Sequence, residues 1–160
     1  MDGYRQFFSS ELRNQYAIDF TYRLASPAGE TFCHAFTNLP EILWYGAEGT
    51  LVHAKSSAKY VAQIILSSEW AKEHFMPLEI PDDVRPFAKI FNHCRIEGVD
   101  YCVSDNVHAE EVGSVIGLGN TPDEACNAAK ERAEKVQGYD LDRETDALDK
   151  ARKTLENTKV

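Results

Sequence analysis

No apolar run in this chain approaches the ~20 residues that a membrane-spanning helix needs, and its start lacks the basic, apolar and small-residue succession of a signal peptide. The expectation is a cytoplasmic protein with no membrane contact. An excess of positive charge is missing as well. Seventeen Lys and Arg stand against 26 Asp and Glu, a net charge of −9 with both signs interspersed, so most of the surface repels a phosphate backbone. No nucleic-acid partner is therefore expected. The four cysteines, at positions 33, 94, 102 and 126, include no C-x-x-C pair of the kind that makes a zinc or redox site. They read as small apolar thiols in a reducing compartment.

Other catalytic signatures are absent too. Gly117-Leu118-Gly119 has neither the third glycine nor the Lys-Ser/Thr of a phosphate loop, and reads as the turn before a helix. The five histidines are scattered without a partner at ligand spacing, and His93, inside a strand, reads as a core or interface residue. The neighbours Cys33-His34 and His93-Cys94 send their side chains in diverging directions, which excludes a Cys-His nucleophile there.

What is present suffices for one filled core or two small lobes: 160 residues, 43% of them hydrophobic. Residues 6–12 and 16–22 are rich in aromatic and branched side chains and flank Arg13-Asn14-Gln15, the pattern of a β-hairpin. Segment 28–48 has Phe32, Phe36, Leu39, Leu43 and Trp44 at helical spacing, with Pro40 splitting it into two short helices and Gly49 closing it. Residues 58–66 read as a buried strand. Segments 87–96 and 99–104 flank Glu97-Gly98 as a second hairpin, and 111–118 adds a third strand to that sheet. Thr121-Pro122-Asp123-Glu124 starts a helix with a capping box. That helix runs to Gln137, carries a small-residue face of Ala125, Ala128, Ala129, Ala133 and Val136, and has Gly138 as its C-cap. Leu148, Ala151 and Leu155 form one stripe of a last helix over 144–157, too short for a coiled coil but leaving a homo-oligomer open. The sum is an α+β architecture: an antiparallel hairpin with packed helices, joined to a small antiparallel sheet covered by a helix.

In the second strand of the first hairpin, Asp19, Thr21 and Arg23 are two apart and share one face. With an odd-numbered loop, Glu11 lies opposite Asp19 on that face, so two carboxylates and a hydroxyl converge. Hard oxygen ligands of this kind suit Mg²⁺ carrying nucleotide phosphates, and Arg23 can hold a phosphate or carboxylate in a bidentate fork. The same spacing also suits the solvated face of an edge hairpin, with Arg23 neutralising an acid.

The run YRQFFSSELRNQYAIDFTYRLASPAGET, from Tyr4 to Thr31, resembles the end of the ATP-grasp domain in phosphoribosylamine–glycine ligases, where two strands carry acidic metal ligands and the second ends in an E-x-N-x-R-like motif. That motif here reads Asp19-Phe20-Thr21-Tyr22-Arg23. The stretches NLPEILWYGAEGTL, KYVAQIIL, IFNHCRIEGVDYCVS and EVGSVIGLGNTPDEACNAAKERAEKVQGYDLDRETDAL follow the order of that family's C-terminal domain, so the resemblance spans nearly the whole chain. It implies residues 1–50 as the end of an ATP-grasp-like lobe and 51–160 as a ligase C-terminal-like domain. It also implies Glu11, Asp19 and Thr21 as ligands of Mg²⁺ bound with ATP, and Arg23 as the phosphate-binding residue. The sequence departs from the family at Asp19 for Glu, at Thr21 for Asn, in Ala25 to Glu30 for a G-D-P-E segment, and in Ser68-Glu69-Trp70 for a glycine-containing turn.

The family's nucleotide-binding lysine, glycine-rich loop and adenine contacts have no counterpart among these residues. Two functions follow as expectations. One is the C-terminal portion of an ATP-grasp carboxylate–amine ligase, inactive alone and completed by a nucleotide-binding partner lobe; it predicts an apolar docking surface on the hairpin and the 28–48 helices. The other is a non-catalytic binding or regulatory module derived from the ligase scaffold, virus-encoded derivatives included.

Overall fold

The computed structural model describes residues 29–104 and 111–157. The hairpin expected over 6–22 lies outside the described residues. The described residues begin with two short helices, α1 (Gly29–Ala35) and α2 (Leu39–Ala47), with Pro40 in the first turn of the second, where its missing N–H is tolerated. Gly49, at φ +81°, closes α2 as the sequence indicates. Asn38 does not cap α2 with its side chain. Its amide instead donates to His53 O at 3.0 Å and accepts from Lys55 N at 2.9 Å, tying the following loop back to the helix start.

Among the described residues eight strands follow: β1 (Tyr60–Ser67), β2 (Met76–Glu79), β3 (Ala88–Ile90), β4 (His93–Ile96), β5 (Val99–Cys102), β6 (Glu111–Gly119), β7 (Gln137–Gly138) and β8 (Asp142–Arg143). They form two four-stranded antiparallel sheets, ordered β3-β6-β1-β8 and β4-β5-β2-β7. Helix α3 (Pro122–Lys135) lies on β6 and β1, and α4 (Asp146–Asn157) ends the described chain. The α+β class is thus as read from the sequence, but β2, β7 and β8 are additional to that reading, and the three strands expected to form one sheet are divided between two. Residues 87–96 are two strands in different sheets. Asn92, at φ +46°, turns the chain between them, a conformation its short polar side chain tolerates. Strand β6 accordingly pairs with β1 and β3 in the first sheet and leaves the β4–β5 hairpin to the second. The hairpin itself turns through Glu97 and Gly98, both at positive φ, the backbone of a type I′ turn.

Glycines in β6 are structural and belong to the strand, not to a turn. A Cβ on Gly117 would lie 2.1 Å from Ala125 O and 2.3 Å from Ala129 N, so the helix backbone occupies the space a side chain would need. The small-residue face of α3 fits this approach: Ala125, Cys126, Ala129 and Ala133 are buried on it. Its start is capped as expected, Thr121 Oγ1 accepting from Glu124 N at 3.2 Å, while Glu124 Oε2 accepts from Asn120 N at 2.8 Å. Its end is not capped by Gly138, which lies in β7 with the place of a Cβ only 2.8 Å from Leu78 Cδ2. Arg143 does that work, donating from Nε to Ala133 O at 2.8 Å and from Nη2 to Val136 O, while its Nη1 donates to Leu141 O of the following loop at 3.0 Å. Ile64, Leu66, Met76, Val84, Val112 and Val115 fill the core beneath. Gly117→Ala is expected to destabilise the fold by about 3 kcal/mol or more through backbone overpacking, read as a lower urea midpoint at unchanged slope.

Candidate functional site

Strand β5 alternates, so Asp100 and Cys102 share the inward face with Met76 and Leu78 of β2, to which they are directly paired. A carboxylate is thereby placed inside, with 3% of its residue surface exposed. An isolated charge there would be costly, and the surrounding residues supply partners. Arg85, from the 3₁₀ turn Arg85–Phe87, grips it in a bidentate fork, Nη1 to Oδ1 at 3.0 Å and Nη2 to Oδ2 at 2.7 Å, while Nη2 also donates to Ile80 O at 2.9 Å. His93 donates from Nε2 to Asp100 Oδ1 at 2.8 Å, and Arg95 Nε stands 3.9 Å from the same oxygen. The Arg85 hydrogen bonds, against the opposing effect of burial and assisted by His93 and Arg95, hold the Asp100 carboxyl down to about 2. The same pairing raises Arg85. His93 is therefore a half-exposed partner of a buried acid, where the sequence suggested a core or interface histidine.

Beside this cluster opens a cleft of about 580 Å³. Its floor and sides are the apolar Pro77, Leu78, Ile80, Pro81 and Val99, with Arg85 and Asp100 at the base. The end of α3 and β7 form the opposite wall through Lys135, Gln137 and Gly138. Lys135 is held there by Asp83 at 3.0 Å and Glu131 at 3.2 Å, which raise its pKa. A mostly apolar concavity of this size with a few polar groups, one of them strongly perturbed, has the character of a small-molecule site. The two-residue Glu97-Gly98 turn read from the sequence fixes a register that sets Arg95 opposite Asp100 and His93 on the same face, opposite Cys102. No spacing rule brings residues 85 and 135 to them.

The residues expected to carry metal and phosphate, Glu11, Asp19, Thr21 and Arg23, lie outside the described residues. Among the described residues no group of three or more His, Cys, Asp or Glu is arranged to hold a metal, and no helix is long and apolar enough to cross a membrane. Cys102 and Cys126 are buried, as expected of apolar thiols, while Cys33 is exposed and Cys94 half-buried. Ser68-Glu69-Trp70 leads into a short 3₁₀ turn, Trp70–Lys72, pinned where Ser68 Oγ donates to Tyr139 O at 3.1 Å and Trp70 stacks on His74 at 3.7 Å.

No protein-family model matches the chain, and no curated protein matches its sequence. Among solved structures it is similar to part of a ligase. The phosphoribosylamine–glycine ligase of Thermotoga maritima superposes with a TM-score of 0.58 over 81% of this chain, at 17% sequence identity. The chain spans 32% of the length of that protein. The likeness establishes a distantly ligase-like α+β fold.

Asp100 also sets an acid limit on the fold. Because its folded pKa lies below the ordinary value near 4, its contribution is complete above about pH 4 and is lost as pH falls toward 2. Asp100→Asn is expected to cost about 3 kcal/mol at neutral pH by removing the buried counter-charge of Arg85 and leaving it only the exposed Asp82. It should also flatten the fall in urea midpoint between about pH 4 and pH 2.

Proposed function

We propose that this chain is the C-terminal portion of an ATP-grasp carboxylate–amine ligase of the phosphoribosylamine–glycine ligase type, working with a nucleotide-binding lobe carried on other residues of its polypeptide or on a partner subunit. The observation that carries this reading is the structural likeness to that ligase over 81% of the chain. A second one supports it. Helix α2 has no buried residue, and Leu43, Trp44 and Tyr45 are exposed, Trp44 at 68%. A nine-residue helix is not stable on its own in water. Exposed apolar side chains of this kind around one short helix suit a chain spanning a third of the ligase-like protein, with the nucleotide-binding lobe as what covers them. In this reading Glu11, Asp19 and Thr21 hold Mg²⁺ with ATP, since two carboxylates and a hydroxyl suit a hard cation, and Arg23 takes a phosphate oxygen. When bound, Mg²⁺ would neutralise charge on the transferring phosphoryl group.

A non-catalytic binding module on the same scaffold is the second reading. The cleft between β2, the β4–β5 turn and the end of α3 favours it, because it is a ready concavity that uses none of the proposed metal ligands. Titration calorimetry with Mg²⁺-ATP and Mg²⁺-ADP separates the two. The ligase reading expects micromolar binding that Asp19→Ala weakens at least tenfold. Absence of heat with either nucleotide would leave the binding module as the function.

A further inference from the structure

We infer that the cleft beside Asp100 is a binding site for an uncharged, amino-bearing heteroaromatic ring, of the nucleobase or nucleoside type, stacked on the Arg85 guanidinium. The inference stands apart from the ligase reading, which assigns nucleotide to residues 11–23.

Three observations carry it. The first is the state of Arg85. Nη1 and Nη2 are engaged by Asp100 and Ile80 O, and Nε, shielded from solvent, stands 3.7 Å from Asp82 Oδ1, yet 32% of the side chain remains exposed. The guanidinium is thereby held in one plane where Arg85 lines the cleft, and a guanidinium face is a stacking surface for flat rings. Its geometry is set before any ligand arrives, because Asp100 is itself held by His93, so little ordering remains for binding to impose.

The second is charge. The cleft is lined by two cations, Arg85 and Lys135, and two anions, Glu79 and Asp100, in a protein of net charge −9. A neutral lining inside an acidic protein disfavours phosphorylated ligands and leaves an uncharged one at no electrostatic cost. The third is the distribution of the remaining groups. Pro77, Ile80, Pro81 and Val99 offer apolar walls to a ring. The Glu79 carboxylate can accept from an exocyclic amine, and Gln137, whose Nε2 donates to Glu134 O at 2.7 Å, keeps its amide oxygen as an acceptor. A volume of about 580 Å³ holds a nucleoside without rearrangement of the walls.

The test is calorimetric titration of the full chain with adenosine, guanosine and adenosine monophosphate. Adenosine or guanosine should bind with a dissociation constant on the order of 100 μM, and the monophosphate more weakly. Val99→Trp, at a half-exposed position beside the hairpin turn, fills the cleft without touching the core and should weaken nucleoside binding at least tenfold. Arg85→Lys keeps the charge and removes the plane, and is expected to lose a similar factor. No binding of either nucleoside at millimolar concentration overturns the inference. So does a Val99→Trp protein that binds as the wild type does, or a monophosphate that binds tenfold more tightly than its nucleoside.

Discussion

Helix α3 can rest directly on β6 because Gly117 and Gly119 present no side chains to it. A methyl group at Gly117 would coincide with backbone atoms of Ala125 and Ala129, so the separation of helix and sheet is set by this pair of bare positions and by the alanines facing them. Much follows from that separation. It seals Ile64, Leu66 and Val115 beneath the helix, and it brings Arg132 far enough across to donate to Ile116 O at 2.7 Å, beyond the last residue paired with β3. The same guanidinium lies 3.6 Å from the centre of the Phe87 ring, so one side chain both satisfies an open strand edge and packs the turn that carries Arg85.

The seating of α3 also builds the cleft. Its last turn delivers Lys135, and the chain leaving it delivers Gln137 and Gly138, to the flank of β2 opposite the β4–β5 hairpin. From the other side Asp100 comes in on β5 and meets Arg85 from a separate turn. The acid is buried between apolar Met76, Leu78 and Cys102 on one side and His93 and Arg95 of β4 on the other, and it is tolerated there through a fork of two hydrogen bonds and a third from His93. A polar cluster of this kind fixes one arrangement of its strands, because any shift of register would strand the charge. Rigidity on both walls is what makes the concavity between them a candidate for recognition.

The region around α2 has the opposite character. Asn38 and the bridge between Phe36 and Ser56 tie the loop after α2 to the stretch between the two helices, yet the helix itself keeps its aromatic side chains exposed. The described residues thus combine a completed core with an uncovered helix.

Local signals determined much by themselves. The split at Pro40, the capped start of α3, the Glu97-Gly98 turn and the small-residue helix face are all effects within a few residues, where propensity and hydrogen bonding act without the rest of the fold. The sequence also pointed to the ligase-like α+β class, through the order of its elements. Tertiary structure alone decided which strands share a sheet. A single left-handed Asn92 separates β3 from β4, and no periodicity in IFNHCRI marks it. It alone decided that Arg143 and not Gly138 closes α3, and that Arg85 reaches the face on which the hairpin register sets residues 93, 95 and 100. The physical reason is common to these cases: each partner is chosen by distance across the fold, and a charge buried on one strand is answered from whichever element the packing brings within reach.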